Sequence, residues 1–288
     1  GTHTPTADIN LRDKVRLIGA GIDVTYIDFT STNSSILATS ISNFSVSGFT
    51  IKNSADATSA IYILMSNTFF VSEIKSTANT GSGFRIERCQ NFRVENCFAY
   101  LNVASTSCHG FYFIANSIAA GAADLPISII WSNCVAQRNG GSGFRFEHNV
   151  SGTGHNGPFT VENCYAHENT LDGFTIVGGT TSTFVPLIIN CKSYLNVDTA
   201  GVAGAAGSGT GDGFNCSMIE SKFVLCESLS NGGSDLVNTL TDGVYVENTG
   251  VTLTAKAWNG NVGGIVGLMC NNLLTVTGSI TVVGGQHN

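Results

Sequence analysis

Short runs in which apolar and polar residues alternate recur along the chain. Three of them are Phe84–Glu87, Phe144–Glu147 and Val244–Glu247. Alternation with a period of two is typical of β-strands that bury one face. No sustained stripe of apolar residues with helical spacing accompanies these runs. The pattern therefore predicts an all-β chain built from short strands.

The alternating runs belong to an internal repeat, in which a strand opening with Gly-Phe is followed by a second strand and then by Cys-x4-Asn. The first strands begin at Gly83, Gly110, Gly143, Gly173, Gly213 and Gly243. The Cys and Asn pairs are Cys97 and Asn102, Cys134 and Asn139, Cys164 and Asn169, Cys191 and Asn196, and Cys226 and Asn231. Ala60, Ile74 and Asn79 continue the frame upstream in weaker form. A unit this short cannot bury its apolar face alone, so we expect stacked units forming a solenoid.

Stacking would bring equivalent residues of neighbouring units to about 4.8 Å from each other. The phenylalanines that follow each glycine should then form a buried aromatic stack. The repeated cysteines should form a buried file of free thiols, because small apolar residues suit a narrow interior. The repeated asparagines should lie at a tight turn, adopt the left-handed conformation and bond one another.

The file of asparagines and the stretch Val15–Gly21, which follows Gly1-Thr2, resemble the right-handed parallel β-helix proteins of the pectate-lyase-like superfamily. Residues 163–174 and 190–214 are similar to units of mannuronan C5-epimerase modules, and phage tailspikes share the architecture. The resemblance implies a right-handed single-stranded parallel β-helix over residues 1–288 as one domain, with 197–211 as a Gly/Ala-rich loop. It also implies a fragment of a longer chain, because a helical cap usually precedes the Gly-Thr step in this family.

Composition narrows the classes of function. Hydrophobic residues make up 42% and charged residues 11%, which excludes a disordered chain. The net charge is −7 and the basic residues are scattered, so a nucleic-acid partner is not expected. No apolar run is long enough for a membrane helix, and no signal peptide is visible. The nine cysteines lack zinc-ligand spacing.

Outward residues that align across units are where chemistry is expected. A first row, just before the glycines, contains Asp172, Asp212 and Asp242. Carboxylates stacked about 5 Å apart suit glycosidase chemistry and would attract Ca²⁺, the one cofactor the sequence suggests. The alternative is that each Asp-Gly pair closes a turn, with the carboxylate bonding its own backbone.

A second row gathers Tyr112, Arg145, Glu147 and His148 around the third unit. A lyase or epimerase uses such a set to neutralise an acidic sugar and to move its proton. The epimerase modules carry Tyr-Gly-Phe-Asp-Pro-His here, whereas this chain reads Ser142-Gly143-Phe144-Arg145-Phe146-Glu147. The alternative is that Arg145 and Glu147 form a surface ion pair of little energetic consequence.

A third row follows the cysteines and contains Tyr100, Tyr165, His167 and Tyr194. Outward aromatic rings offer flat apolar faces that sugar rings use, so this row is predicted to bind substrate. The alternative is that loops cover these rings.

Together these features predict a tailspike-like polysaccharide depolymerase, lyase or glycoside hydrolase that acts on a surface or cell-wall glycan. The alternative is a glycan-binding or structural spike without catalysis. A virion or extracellular location and a homotrimer are expected by analogy with tailspikes.

Overall fold

The computed structural model describes residues 1–30, 33–115, 128–148, 157–178, 184–196, 211–217, 221–229, 231, 236–238 and 244–246. Every regular element in this part of the chain is a β-strand. In chain order the strands are β1 (Thr2–His3), β2 (Ile9–Asn10), β3 (Arg16–Ile18), β4 (Tyr26–Asp28), β5 (Ile36–Thr39), β6 (Ser42–Lys52), β7 (Ser59–Leu64), β8 (Asn67–Thr77), β9 (Ser82–Glu87), β10 (Gln90–Glu95), β11 (Phe98–Tyr100), β12 (Phe111–Ile114), β13 (Ile129–Ser132), β14 (Val135–Gln137), β15 (Phe144–His148), β16 (Gly157–Glu162), β17 (Tyr165–His167), β18 (Phe174–Gly178), β19 (Phe184–Ile189), β20 (Lys192–Tyr194), β21 (Phe214–Ser217), β22 (Lys222–Val224), β23 (Glu227–Leu229), β24 (Leu236–Asn238) and β25 (Val244–Val246).

Each strand pairs in parallel with the equivalent strand of the next rung, and the rungs stack into two sheets. The first, here called the Phe sheet, has the order β2-β5-β7-β9-β12-β15-β18-β21-β24. In the second sheet the long strands β6 and β8 are followed by two short strands in every rung. We call these the middle strands (β10, β13, β16, β19, β22, β25) and the Tyr strands (β11, β14, β17, β20, β23). The predicted right-handed parallel β-helix is confirmed.

The predicted aromatic stack is confirmed inside the Phe sheet. The rings of Phe84, Phe111, Phe144, Phe174 and Phe214 follow one another with centroids 4.7–4.8 Å apart. That spacing is the distance between neighbouring strands, so the rings stack face to face with little displacement. Each ring is at most 1% exposed. Truncating one of them to alanine would remove about 3–5 kcal/mol of stability.

The predicted file of thiols is also confirmed. Cys97, Cys134, Cys164, Cys191 and Cys226 are buried, and all eight cysteines of the described residues are free. Each repeated thiol lies against backbone carbonyls; Cys134 donates to the carbonyl of Ser132 at 3.3 Å and to that of Val94, one rung back, at 3.7 Å. Burial raises the pKa of the Cys97 and Cys164 thiols, so they remain protonated.

The asparagine file forms a continuous hydrogen-bonded ladder. The Nδ2 groups of Asn79, Asn102, Asn139, Asn169 and Asn196 each donate to Oδ1 of the next asparagine at 2.9–3.0 Å, and the last acceptor is Asn231. The same oxygens accept the backbone N–H of the preceding asparagine, for example Asn139 N to Asn169 Oδ1 at 3.1 Å. These amides are buried where water cannot reach them, and the ladder supplies the hydrogen-bond partners that they need.

The prediction that the ladder asparagines adopt the left-handed conformation is wrong. The positive φ values lie one residue earlier, at Ala78, Leu101, Arg138, Glu168 and Leu195. A second left-handed column, Asn96, Asn133, Asn163 and Asn190, precedes the cysteines. The ladder asparagines need a backbone that turns their amides inward, and the residue before each one makes that bend.

One predicted alignment is wrong near the end of the described chain. The frame placed Gly243-Val244 at the start of a strand in the Phe sheet. In the structure β24 pairs with β21, matching Leu236 to Phe214. Strand β25 pairs with β22, matching Tyr245 to Phe223, and is therefore a middle strand.

Replacing Asn139 by alanine tests the ladder. The change removes the acceptor of the Asn102 backbone N–H and of one Nδ2 proton, and it removes one of the two donors to Asn169 Oδ1. Each buried group left unpaired costs about 1–3 kcal/mol. We expect the free energy of unfolding in urea to fall by about 3 kcal/mol. The control is Asn133→Gly, an exposed left-handed position that glycine accepts, which should change stability little. Equal stability of Asn139→Ala and the wild type would contradict the ladder's role.

The buried thiols give a second test. A soluble aromatic disulfide reagent should leave the eight described cysteines unmodified in the native protein and should label them once urea unfolds it, because burial keeps the reagent away from them. Adding a reductant should leave the urea midpoint unchanged. Rapid labelling of several of these thiols in the native state, or a reductant-sensitive midpoint, would contradict the buried file.

Candidate functional site

The predicted second row lies on the outward face of the Phe sheet. Strands β9, β12 and β15 are neighbours, and Tyr112 pairs in register with Arg85 on one side and Arg145 on the other. The phenylalanine before each of these residues points inward, so alternation places the three side chains outward. Tyr62 on β7 continues the column beside Arg85.

Tyr112, Arg145 and Glu147 contact one another directly. The Tyr112 hydroxyl donates to Glu147 Oε2 at 2.8 Å, and the Arg145 guanidinium donates to the other carboxylate oxygen. The Arg145 guanidinium carbon also lies 6.0 Å from the centroid of the Tyr112 ring. Glu147 is only 8% exposed. The carboxylate is therefore held by two donors in a partly desolvated position, where such bonds are strong.

The structure adds a matching cluster that the sequence analysis did not select as a site. Tyr62 donates to Glu87 Oε2 at 3.0 Å, and Arg85 donates to the same oxygen at 3.0 Å. Arg88 lies 3.6 Å from the other oxygen of Glu87. The unit containing Tyr62 opens with Ala60-Ile61 in place of Gly-Phe, so the repeat is weaker there. Its outward position follows once Ala60 is aligned with Gly83.

His109 adjoins this face as a neutral, buried imidazole. Its Nδ1 accepts the backbone N–H of Ser142 at 3.0 Å, and its ring lies edge-on to that of Tyr112 at 5.0 Å. Burial, followed by the charges of Arg145 and Arg85, lowers the pKa of His109 to about 3. A neutral ring whose Nδ1 accepts carries its proton on Nε2.

His148 is not on the outward surface with Glu147. Along β15 the residue after Glu147 has the phase of Phe144 and Phe146, and His148 is 2% exposed. The prediction that grouped His148 with the outward residues is therefore corrected, because alternation assigns it to the inward side.

The predicted first row begins with Asp172, whose two oxygens are both engaged. Oδ1 accepts the backbone N–H of Asp212 at 2.9 Å, and Oδ2 accepts the Thr175 hydroxyl at 3.0 Å and the Asn215 amide at 3.1 Å. Burial raises the pKa of Asp172. The contacts tie one rung to the next. They differ from the predicted alternative, in which the carboxylate bonds the backbone of its own turn.

Asp212 is 3% exposed and follows Asp172 in the next rung. Asp242 lies outside the described residues.

The row of Tyr100, Tyr165, His167 and Tyr194 lies on the Tyr strands and therefore on a different sheet from Tyr112 and Glu147. Tyr165 contacts His167 and Tyr194 with centroids 5.5 Å apart in both cases. Burial, followed by a hydrogen bond to Glu227, raises the pKa of Tyr194. The two predicted sets thus form separate surfaces.

A shallow pocket of about 240 Å³ opens on the Tyr strands beside Tyr100. Phe98, Val135 and Gln137 line it together with Lys75, and Phe98 is 41% exposed. The cations nearby are paired, Lys75 with Asp23 and Lys192 with Glu227, each at 3.1 Å. The surface is consequently close to neutral, with both apolar and hydrogen-bonding groups.

Neither a metal-binding cluster nor a membrane-spanning helix occurs among the described residues. No group of three or more His, Cys, Asp or Glu side chains there could hold a metal ion. The described residues also include no helix with the length and apolar character that a bilayer crossing requires.

The neutral state of His109 makes stability depend on pH. The unfolded chain takes up a proton near pH 6.5, whereas the folded imidazole resists protonation down to about pH 3, so acid favours unfolding. Between pH 6 and pH 4 the unfolding free energy should fall by up to about 1.4 kcal/mol per pH unit from this group. Urea titrations of the wild type and His109→Asn check this, because asparagine can accept the Ser142 N–H without titrating. Identical pH slopes for the two proteins would contradict the assignment.

Comparison with known proteins identifies the architecture. No protein-family model and no curated protein matches the chain. The A-module of the mannuronan C-5 epimerase AlgE4 from Azotobacter vinelandii matches with a TM-score of 0.63 and 16% identity, over 85% of this chain and 63% of that module. ORF18 of Geobacillus virus E2 gives 0.48 and 13%, over 88% and 50%. The pectate lyase Pel9A gives 0.43 and 13%, over 91% and 68%.

Such low identities show a common fold and nothing finer. The chain also spans less than two thirds of the length of the AlgE4 module. With its parallel rungs, inward stacks and asparagine ladder, the chain has a parallel β-helix fold, which it shares with the AlgE4 module.

Proposed function

We propose that this chain is a polysaccharide-acting β-helix whose sugar chain lies along the outward face of the Phe sheet. The observation that carries the proposal is the cluster of Tyr112, Arg145 and Glu147 on that face, adjacent to the neutral imidazole of His109. The cluster combines a proton donor, a cation and a carboxylate within contact distance. Enzymes that break or remodel glycosidic chains need these groups.

Each group has a defined task in this proposal. Burial, followed by the hydrogen bond to Glu147, raises the pKa of Tyr112 to about 12, so the phenol keeps its proton at neutral pH and can give it to a leaving oxygen. Arg145 opposes negative charge that develops on the sugar. Glu147 holds both side chains in place through its two oxygens. Either cleavage returns a proton to Tyr112: a lyase takes it from C5 of the sugar as the C4–O bond breaks, and a glycoside hydrolase takes it from the water that attacks C1.

The comparisons support the general class. The AlgE4 module, whose fold this chain shares, is named for its action on mannuronan. The epimerase signature is not reproduced at Ser142–Glu147, so the proposal concerns a glycan and not this particular reaction. The virion or extracellular location and the homotrimer stay predictions by analogy.

A second candidate is glycan binding without turnover. One observation favours it: the carboxylates of Glu147 and Asp172 are both fully engaged with protein donors. A carboxylate engaged in this way stabilises the rungs and must give up a partner before it can act on a substrate. The Tyr-strand row, predicted to bind substrate, would then extend the binding surface.

Activity measurements on a broad polysaccharide panel test both candidates. We expect new reducing ends or unsaturated sugar products from at least one glycan. Tyr112→Phe should lower the rate by about 100-fold or more, because it removes the proton that the mechanism transfers. Tyr26→Phe, a matched change on β4 that also deletes only a hydroxyl, should leave the rate within about twofold of the wild type.

The outcomes separate the candidates. Full activity in Tyr112→Phe would overturn the proposed reaction centre. Tight binding of a glycan without any product would favour the non-catalytic candidate. Neither binding nor product across the panel, with the fold intact by circular dichroism, would overturn both.

A further inference from the structure

Two charged rungs on the outward face of the Phe sheet are separated by one uncharged rung. The two outward positions in successive rungs are Tyr62 and Leu64 on β7, Arg85 and Glu87 on β9, Tyr112 and Ile114 on β12, and Arg145 and Glu147 on β15. The rungs that follow, β18 and β21, are uncharged, with Thr175 and Val177 and then Asn215 and Ser217. The two charged rungs therefore lie two rungs apart, although the fold repeats every rung.

This arrangement creates two equivalent side-chain units. The upstream unit is Tyr62, Arg85 and Glu87, and the downstream unit is Tyr112, Arg145 and Glu147. In each one the tyrosine hydroxyl donates to Oε2 of the glutamate, at 3.0 Å upstream and 2.8 Å downstream. In each one the arginine pairs with the same glutamate and stacks on the tyrosine, at 5.4 Å and 6.0 Å from the ring centroid.

The two units are joined in one continuous stack. The Arg85 guanidinium carbon lies 5.3 Å from the centroid of Tyr112, which belongs to the other unit. Arg85 thus lies between Tyr62 and Tyr112, and Arg145 contacts Tyr112 on one side. Guanidinium groups lie over both faces of the Tyr112 ring, so a ligand would meet its edge and the neighbouring guanidinium groups.

The spacing of the units limits what can bind both at once. Two rungs correspond to about 10 Å along the solenoid axis. Two linked pyranose rings in an extended chain advance by nearly the same distance. A polymer that repeats every disaccharide can therefore present the same group to both charged rungs. Its intervening sugar then faces the uncharged rung β12, with Tyr112 and Ile114.

The charges favour an acidic sugar at the arginine rungs. The face carries three guanidinium groups, from Arg85, Arg88 and Arg145, against the two carboxylates of Glu87 and Glu147. A planar guanidinium holds a ligand carboxylate or sulfate through paired N–H groups. This excess of positive charge occurs in a chain whose net charge is −7.

From this arrangement we propose that the Phe-sheet face is a duplicated subsite for a polysaccharide with alternating acidic and neutral sugars, bound parallel to the solenoid axis. The proposal rests on the proposed function and adds the substrate class and its register. The upstream unit, which no comparison or motif assigns, is then a second binding unit that acts together with the reaction centre.

Calorimetry with three sets of hexasaccharides of equal length tests the substrate class. The probes are fragments of hyaluronan, in which acidic and neutral sugars alternate, of polygalacturonate, in which every sugar is acidic, and of cellulose, which is neutral. The hyaluronan hexasaccharide should bind at least about tenfold more tightly than the other two, because only it matches the two-rung pattern. Equal or tighter binding of polygalacturonate would overturn the inference.

Variants of the two units test the duplication. Arg85→Gln and Arg145→Gln should each weaken hexasaccharide binding by about tenfold, since each removes one charged contact. A hyaluronan disaccharide, which can occupy only one unit, should lose less than about twofold in either variant. Arg138→Gln, an exposed arginine paired with Glu168 on the second sheet, is the matched control and should change neither. Tyr62→Phe, which deletes only a hydroxyl, replaces Arg85→Gln should that variant fail to fold.

The failures are distinguishable. Loss of binding in Arg145→Gln with no change in Arg85→Gln or Tyr62→Phe would leave the proposed function standing and overturn the duplicated subsite. Preference for polygalacturonate or cellulose, with product formed, would leave the proposed function standing and would overturn the proposed substrate class. Absence of binding or product for every glycan would overturn the proposed function as well.

Discussion

Parallel hydrogen bonding between successive rungs, kept in register by the asparagine ladder, is the constraint on which the other features of this protein depend. Side chains alternate along each strand, so a slip of one residue would expose the phenylalanine stack and bury the arginine column. The ladder opposes such a slip because each buried amide has its partner at one register only. The backbone then sets the spacing of every column at once.

The same registry turns distant residues into chemical neighbours. Tyr112 and Glu147 are 35 residues apart in the chain and are joined by one hydrogen bond on adjacent strands. Half-buried charges on this face are tolerated because each carboxylate has donors from two rungs, which offsets the loss of water. The contacts that stabilise the outer surface are consequently the ones a bound sugar chain would meet. Under the proposed function, stability and recognition would share one set of groups.

Much of this could be predicted from the sequence, because the inward columns repeat a single residue type. Phenylalanine, cysteine and asparagine recur in phase, and an interior that repeats every rung demands just such repetition. The outward residues need not repeat one residue type in every rung. The sequence therefore did not mark Tyr62 and Glu87 as candidate site residues, although the repeat predicted the strands that carry them. His148 was misplaced because its neighbours in sequence, and not its phase along β15, guided the grouping.

Other features depend on backbone geometry that residue types do not encode. The left-handed bend falls on Leu101, Arg138 and Glu168, which are unusual in that conformation, because the ladder fixes the following residue. Gly243, which precedes Val244, led to the prediction of a strand in the Phe sheet. The register between β22 and β25 instead places Val244 on a middle strand. The engagement of Asp172 by Thr175 and Asn215 depends on side chains from two rungs, which only the folded chain brings together.

The most direct measurement of the central claim is the distance between spin labels placed on one outward column of the Tyr strands. Phe98, Lys192 and Glu227 occupy that column, and the eight cysteines of the described residues are buried and do not compete for the label. Labels at 98 and 192 are three rungs apart and labels at 98 and 227 are four, so the mean separations should be about 14 Å and 19 Å between backbones. A step of about 5 Å between the two pairs is the predicted result. Separations that do not increase by one rung, or broad distributions for both pairs, would contradict the stacked register and every column built on it.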